Sequence, residues 1–246
     1  MKIIYKLKRS LRNYLRKRVL KGNTKECNLC GFKSLVFLPY LGKRENAQCI
    51  SCGSLERNRL LFSYIKAETN ILRDNLTLLH VAPDKNTFSR LKENNNLNYY
   101  YCDKFEKGYT DAYPKGTLNL DITNLTFFED NTFDFIICSH VLEHVPDDRK
   151  ALNEFYRILK PDGIALIMIP WDKDLAITYE DPSITDPLER RKHFGQSDHV
   201  RIYGYDFKER IKATKFNLET VNYFNHFKPN ESHKYGFKNE EIFVCN

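Results

Sequence analysis

Phe133-Asp134-Phe135-Ile136-Ile137-Cys138-Ser139-His140-Val141-Leu142-Glu143-His144-Val145-Pro146-Asp147, followed by Glu154-Phe155-Tyr156-Arg157-Ile158-Leu159-Lys160-Pro161-Asp162-Gly163, is the stretch from which the rest of the chain is read. Residues 133–138 form a short apolar run, which predicts a buried strand. The segment from about Asp147 to Leu159 reads as a helix, and Lys160-Pro161-Asp162-Gly163 as a turn. Ile164–Pro170 is then a strongly apolar strand. The same alternation continues outward on both sides. Leu76–Ala82 reads as a strand, Thr87–Glu93 as a helix, and Tyr99–Asp103 and Leu118–Asp121 as strands that each end in an acid. Beyond an irregular stretch over 171–204 come a helix at Tyr205–Thr214 and strands at Phe216–Phe224 and Glu240–Cys245. Strand and helix in alternation predict an α/β fold: a mainly parallel sheet with helices on both faces.

Ligands of such sheets bind at the carboxyl ends of the strands, where the strand order reverses. Residues 82–86, 103, 121 and 138–144 are therefore the first to inspect. The two quoted segments resemble the fourth-strand region of class I S-adenosylmethionine-dependent methyltransferases, whose pattern there is FDxI, xxVLEHVxD and xExxRxLKPGG. The order of elements over 76–246 is similar to that family's doubly wound, Rossmann-like, seven-stranded sheet with an antiparallel last strand. The resemblance implies S-adenosyl-L-methionine as cofactor. Asp103 would accept hydrogen bonds from the ribose hydroxyls; it lies 19 residues beyond Asp84, near the ~20-residue interval of dinucleotide-type folds. Asp121 with Ile122 resembles the acid-plus-apolar pair that serves the adenine, and Ser139 and His140 follow the fourth strand. The family's usual glycine-rich first loop corresponds to His80-Val81-Ala82-Pro83-Asp84-Lys85-Asn86, which contains no glycine. Ala82 is small and Pro83 sets a turn, so His80, Ala82, Pro83 and Asp84 are expected to cradle the cofactor. A methyltransferase-like binding protein without activity is the alternative, since fold does not establish chemistry.

Cys27-Asn28-Leu29-Cys30 and Cys49-Ile50-Ser51-Cys52 form two CxxC pairs with eighteen residues between them. Each pair can set two thiolates on one tight knuckle, and two knuckles complete the tetrahedral sulfur site of a structural zinc ribbon. Gly31 and Gly53 follow the second cysteine of each pair, where a knuckle needs permissive backbone. Leu35-Val36-Phe37-Leu38 is expected to supply a short strand. A module of about 30 residues cannot bury enough surface to fold alone, so the metal would supply the missing stability. Residues 23–53 are thus expected to be a small zinc ribbon, with Cys27, Cys30, Cys49 and Cys52 as ligands and no open position for chemistry. A redox role for the pairs is the alternative. Ser54 is expected to cap a connecting helix within 54–75, with Glu56 in its first turn. Cys102, Cys138 and Cys245 lie in strand-like runs and read as packing residues.

The 246 residues carry 39 Lys+Arg and 32 Asp+Glu, a net charge of +7. With 41% hydrophobic and 29% charged residues, the chain is expected to fold, and disorder is excluded. No stretch approaches the ~18–20 apolar residues of a membrane-spanning helix. Nine of the cations fall in residues 1–21, which hold no acid, leaving 30 bases against 32 acids over residues 22–246. The positive charge is therefore that of an arm. Ile4, Leu7, Leu11, Leu15 and Val19 recur at steps of three and four, which predicts a basic amphipathic helix over 1–22. Its interleaved charges leave no apolar core for a secretion signal. Such a helix can lie on an anionic membrane surface, touch RNA, or dock its stripe on its own domain. The cysteines fit a reducing compartment, which places the chain in the cytoplasm or peripherally at the inner membrane surface.

Methyl transfer from a sulfonium needs alignment and, for a hydroxyl acceptor, a base. Histidine suits the second role because it titrates near neutrality. His140 directly follows the fourth strand. His199 lies in Phe194-Gly195-Gln196-Ser197-Asp198-His199-Val200-Arg201-Ile202-Tyr203-Gly204, within the 171–204 insertion, which is expected to cover the acceptor. His199 is the first choice for the base, His140 the second, and Arg201 and Tyr203 are expected to contact substrate. His140, Glu143 and His144 also have the HxxEH spacing of zinc proteases. Methyltransferases acting on catechols or RNA ends resemble it with ExxEH and hold a divalent metal there, but His140 stands in place of the first Glu. The [DN]PP[YFW] pattern of base-amine methyltransferases is missing. A small-molecule or glycan-like hydroxyl is the expected acceptor, and RNA reached through ribbon and arm is the alternative.

Overall fold

The computed structural model describes residues 2–41, 44–105 and 113–246, with side chains from residue 11 onward. In chain order its elements are α1 (Lys2–Val19), β1 (Lys21–Glu26), β2 (Lys33–Ser34), β3 (Leu38–Tyr40), β4 (Arg44–Gln48), α2 (Glu56–Glu68), β5 (Leu76–Val81), α3 (Lys85–Lys92), β6 (Leu97–Asp103) and β7 (Leu118–Asn119). They continue with β8 (Phe133–Ser139), α4 (Asp148–Ile158), β9 (Leu159–Met168), β10 (Tyr179–Glu180), α5 (Pro187–Phe194), β11 (Arg201–Ile202), α6 (Phe207–Lys212), β12 (Leu218–Val221), α7 (Pro229–Tyr235) and β13 (Ile242–Cys245). Among the described residues no helix is long and apolar enough to cross a membrane.

The chain divides into two compact units. The first comprises Met1–Leu72, Asp84–Asn94 and Asn222–Glu241; the second comprises Arg73–Pro83, Asn95–Val221 and Ile242–Asn246. This partition differs from the linear one expected from sequence. Helix α3 and the 222–241 segment group with the N-terminal elements, because their bonding partners lie there. Arg90 Nε donates to Leu29 O, and Lys25 Nζ donates to His233 O at 2.7 Å.

In the first unit, β1 pairs with β2 and β3 with β4, both antiparallel. The single strand expected over Leu35–Leu38 is replaced by two short ones that flank Leu35–Phe37. Gly31 and Gly53 adopt left-handed φ of 71° and 82°. Their amides donate to the carbonyls of Cys27 and Cys49, at 2.7 and 2.9 Å, closing each knuckle. Helix α2 is pinned by Arg59, a fully buried cation that sequence reading did not single out. Its guanidinium donates to the carbonyls of Ser54, Ala47, Tyr235 and Gly236 and lies 4.1 Å from the centre of the Phe37 ring. The N-cap of α2 is Leu55, not Ser54 as expected. The Ser54 hydroxyl turns inward instead, 3.2 Å from the sulfurs of both Cys27 and Cys52.

The second unit is built on a seven-stranded sheet of order β12-β13-β9-β8-β5-β6-β7. Strand β13 runs antiparallel to both neighbours, and the remaining pairs are parallel. This is the doubly wound, Rossmann-like methyltransferase arrangement expected for the chain. Its core joins Leu79, Val81, Ile136, Cys138, Ala165 and Ile167 of the sheet to Leu152 and Phe155 of α4 and Phe207 and Ile211 of α6. Cys102, Cys138 and Cys245 are buried packing residues. The turn expected at Lys160–Gly163 lies inside β9 as a wide irregularity, since Phe133 pairs with Leu159 and Phe135 with Ile164. Glycine is required there. A Cβ on Gly163 would come within 2.9 Å of Phe133 O.

Candidate active site

The strand order reverses between β5 and β8, so the crevice lies at their carboxyl ends. At both ends a non-glycine residue adopts a left-handed backbone: Ala82 has φ 44° and His140 has φ 56°. Each is held in it by its own amide, Ala82 N donating to Cys102 O and His140 N to Met168 O, both at 2.8 Å. An L-residue in this region costs about 1–2 kcal/mol, and such strain concentrates where ligands are gripped. The first loop therefore makes the turn usually supplied by glycine, using alanine. Ser139, at the end of β8, has a buried hydroxyl with no hydrogen-bond partner. An orphaned buried hydroxyl costs about 1–3 kcal/mol, which a polar ligand in the crevice would recover. Asp103 closes β6 next to β5, half-buried.

Four further residues expected at the cofactor have partners of their own within the fold. His80 is 2% exposed, with Nδ1 2.8 Å from the Tyr99 hydroxyl, so it is a core histidine of the sheet. Asp84 caps α3, its Oδ1 accepting from the amides of Asn86 and Thr87. It falls with that helix in the first unit. Asp121 accepts from Lys104 Nζ at 2.7 Å through Oδ2 and from the amide and hydroxyl of Thr123 through Oδ1. Burial pushes this carboxyl up, but the ammonium and the two Thr123 bonds outweigh it and hold the group at about 2. Ile122 packs into the core at 6% exposure.

Beyond His140 the chain forms one short 3-10 turn, Leu142–His144, rather than the helix a protease HxxEH requires. Val200 N donates to Glu143 O at 2.9 Å, which draws the insertion onto this turn. The result is a cluster that the spacing of sequence motifs does not reveal: Glu143, His144 and His199 present ligand-type atoms within 4.8 Å of one another. The His144 and His199 rings meet edge to face at 4.7 Å. Glu143 Oε1 lies 3.5 Å from His140 Nδ1, whereas its Oε2 is buried without a partner, as is His199 Nε2. Burial pushes the Glu143 carboxyl up, but the neighbouring His140 and His144 outweigh burial and hold it below the usual range. For His199, burial, aided by the adjacent His144, pushes the pKa down, so the ring favours its neutral form.

Arg201 and Tyr203 do not face a substrate, contrary to the sequence expectation. They are 3% and 0% exposed. The Arg201 guanidinium donates to the carbonyls of Leu142, Val145 and Pro146 and to Glu180 Oε2. Tyr203 Oη donates to Asp148 Oδ2 at 2.8 Å, and Arg210 bridges Asp148 and Glu180. This network fastens the insertion to the 142–146 segment, so both residues position Glu143 and His144 from behind. Asp148, Glu180 and Arg210 carried no sequence signal, because charged residues 30 or more positions apart give no spacing to read.

In the first unit, the four CxxC sulfurs converge. Cys27 and Cys52 are 3.7 Å apart, as are Cys30 and Cys49. Four sulfurs at about 2.3 Å from one tetrahedral zinc would be separated by about 3.8 Å, so the set fits that ion.

Residues 79–167 match the family model described as a methyltransferase domain. The ubiquinone/menaquinone biosynthesis C-methyltransferase UbiE of Enterobacter sp. is 51% identical over 111 residues, covering 40% of this chain and 43% of that protein. The ubiquinone biosynthesis O-methyltransferase of Actinobacillus pleuropneumoniae is 37% identical over 59 residues, 24% of this chain and 25% of that protein. The chain spans less than half the length of the curated relatives it matches. Among solved structures, the [4+2]-cyclase SpnF aligns with a TM-score of 0.52 at 14% identity, covering 79% of this chain and 83% of its own. The complex of the Haloferax volcanii Trm112 methyltransferase activator with its putative methyltransferase gives 0.50 at 12%, covering 77% and 92%. At this identity the structural likenesses show the fold alone.

Proposed function

We propose that the chain methylates a hydroxyl of a small-molecule or glycan-like acceptor, using S-adenosylmethionine bound at the β5–β8 crevice and a structural zinc in the four-cysteine module. When bound, S-adenosylmethionine supplies the electrophilic methyl and a neutral thioether leaving group. The left-handed Ala82 turn, Pro83, the Ser139 hydroxyl and Asp103 are the groups that would hold it. The observation that carries the hydroxyl assignment is the buried His199 with an unpartnered Nε2, set against Glu143 and His144 beyond the end of β8. His199 Nε2 takes the hydroxyl proton as the new C–O bond forms, and His140 orients the hydroxyl from the strand end. Glu143 faces the imidazolium that results.

A base must be unprotonated to act, so a lowered pKa extends activity toward acid. The acid limb of kcat/KM on the true acceptor is therefore expected below the 6.5 of an ordinary histidine. His199→Ala is expected to reduce kcat by about 100-fold or more and to remove that limb. Turnover by His199→Ala at the wild-type rate, with the limb unchanged, would end this assignment.

A second reading uses the same side chains. The orphaned Glu143 Oε2 and His199 Nε2 could, with His144, hold a divalent cation against the hydroxyl, in a ligand set different from HxxEH. Turnover that requires added metal, with the zinc of the cysteine module already in place, separates this reading from the metal-free one.

A further inference from the structure

We infer that α1 and the tip of the cysteine module together form a docking face for an anionic lipid bilayer. The described part of α1 leaves its apolar stripe uncovered: Leu11, Tyr14, Leu15 and Val19 are 60%, 53%, 50% and 73% exposed. The stripe therefore does not pack on its own unit, which removes the plainest use for it. Ile4 and Leu7, which extend the same periodicity, have side chains outside the described residues.

The uncovered surface continues past the helix. Leu35 N donates to Leu20 O at 2.9 Å, and the Leu35 side chain lies against Gly22, where an added Cβ would collide with Leu35 Cδ2. Leu35 and Val36 are themselves 47% and 39% exposed. A row of large apolar side chains thus runs from the helix onto the β1–β2 hairpin, with Lys21 and Lys33 exposed beside it. Arg12, Arg16 and Lys17 flank the stripe, Arg18 lies 5.3 Å over the Tyr14 ring, and residues 1–21 hold no acid.

Charge decides the occupant. A second copy would bring nine cations against nine with no acid between them, so like-charge repulsion opposes pairing through this face. RNA would satisfy the cations but leave the apolar row in water. An anionic bilayer satisfies both at once, the row entering the interface and the cations meeting headgroups. Each basic residue near such a surface strengthens binding by about fivefold, and each buried leucine by about tenfold or more.

The test is sedimentation of the full-length protein with vesicles of phosphatidylcholine alone and of phosphatidylcholine with phosphatidylglycerol. Binding is expected only to the anionic vesicles and to weaken with salt. Leu15→Asp and, separately, Leu35→Asp should each weaken it by about tenfold or more, while Arg16→Gln with Lys17→Gln should weaken it by about 25-fold. Circular dichroism and thermal melting of each variant show that the fold is kept. No binding to anionic vesicles overturns the inference, as does binding that survives both leucine changes. Tight, salt-dependent binding to single-stranded RNA without vesicle binding would place RNA on this face. A concentration-dependent dimer abolished by Leu15→Asp would place a second copy there.

Discussion

Replacing Cys27 and Cys49 together with serine is expected to abolish zinc binding and destabilise the cysteine module. The reason lies in how little else holds the segment around the cysteines. Its cysteine-side core consists of Cys27, Leu29, Phe37, Cys49 and Phe62, with only partly buried neighbours, and β2 and β3 are two and three residues long. Two-strand ribbons of this kind are marginal in water, whereas structural zinc contributes about 10–16 kcal/mol of apparent binding free energy. Losing even about 3 kcal/mol of this would lower Tm by about 6–12 °C in a chain of this size. Zinc content by metal analysis should fall from one per chain to none, and a strong chelator should reproduce the effect on the wild type. A double variant that melts at the wild-type temperature, or fresh protein that holds no zinc, would contradict the zinc assignment. Arg59 shares the load, because its guanidinium ties Ser54, beside the cysteines, to Tyr235 and Gly236.

Arg201→Ala is expected to cost about 3–5 kcal/mol of stability and most of the activity. The substitution strips the carbonyls of Leu142, Val145 and Pro146 of their donor. It also leaves Asp148, 2% exposed, with Arg210 as its remaining ion-pair partner. Removing one member of a buried charge network is among the few single changes with effects this large. Since the same carbonyls hold the Leu142–His144 turn, the loss should reach Glu143 and His144 even though Arg201 touches no reacting atom. Arg201→Lys is expected to rescue only part of the stability, because an ammonium cannot span the carbonyls and Glu180 as the planar fork does. Urea denaturation of both variants checks the order. Equal stability of the wild type and Arg201→Ala would mean that the network is dispensable.

What sequence could show depended on how local each feature was. The strand Phe133–Ser139, the helix after Asp147 and the closing strand were legible, because periodicity and apolar runs are written within a dozen residues. The cysteine spacing was legible for the same reason. Two kinds of feature were not. Lys160-Pro161-Asp162-Gly163 carries turn chemistry, yet cross-strand pairing absorbs it into β9, since Gly163 admits the close approach of Phe133 O. Arg201 and Tyr203, polar residues in a loop beside a candidate histidine, read as substrate contacts. Their partners Asp148, Glu180 and Arg210 are separated along the chain and meet only in the fold. His199 was legible as a candidate, but its company with Glu143 and His144 was not, because only Val200 bonding to the Glu143 carbonyl brings the insertion there. The missing glycine of the first loop is the reverse case. The sequence offers no glycine there, yet the backbone makes a left-handed turn, with Ala82 held at φ 44°.

The most direct measurement is isothermal titration of the purified protein with S-adenosylmethionine and with its demethylated product. Saturable binding of one molecule of either per chain is expected, and its loss in Ala82→Val, where a β-branched residue cannot hold the left-handed turn. No detectable binding of either ligand by folded wild-type protein would contradict the methyltransferase reading.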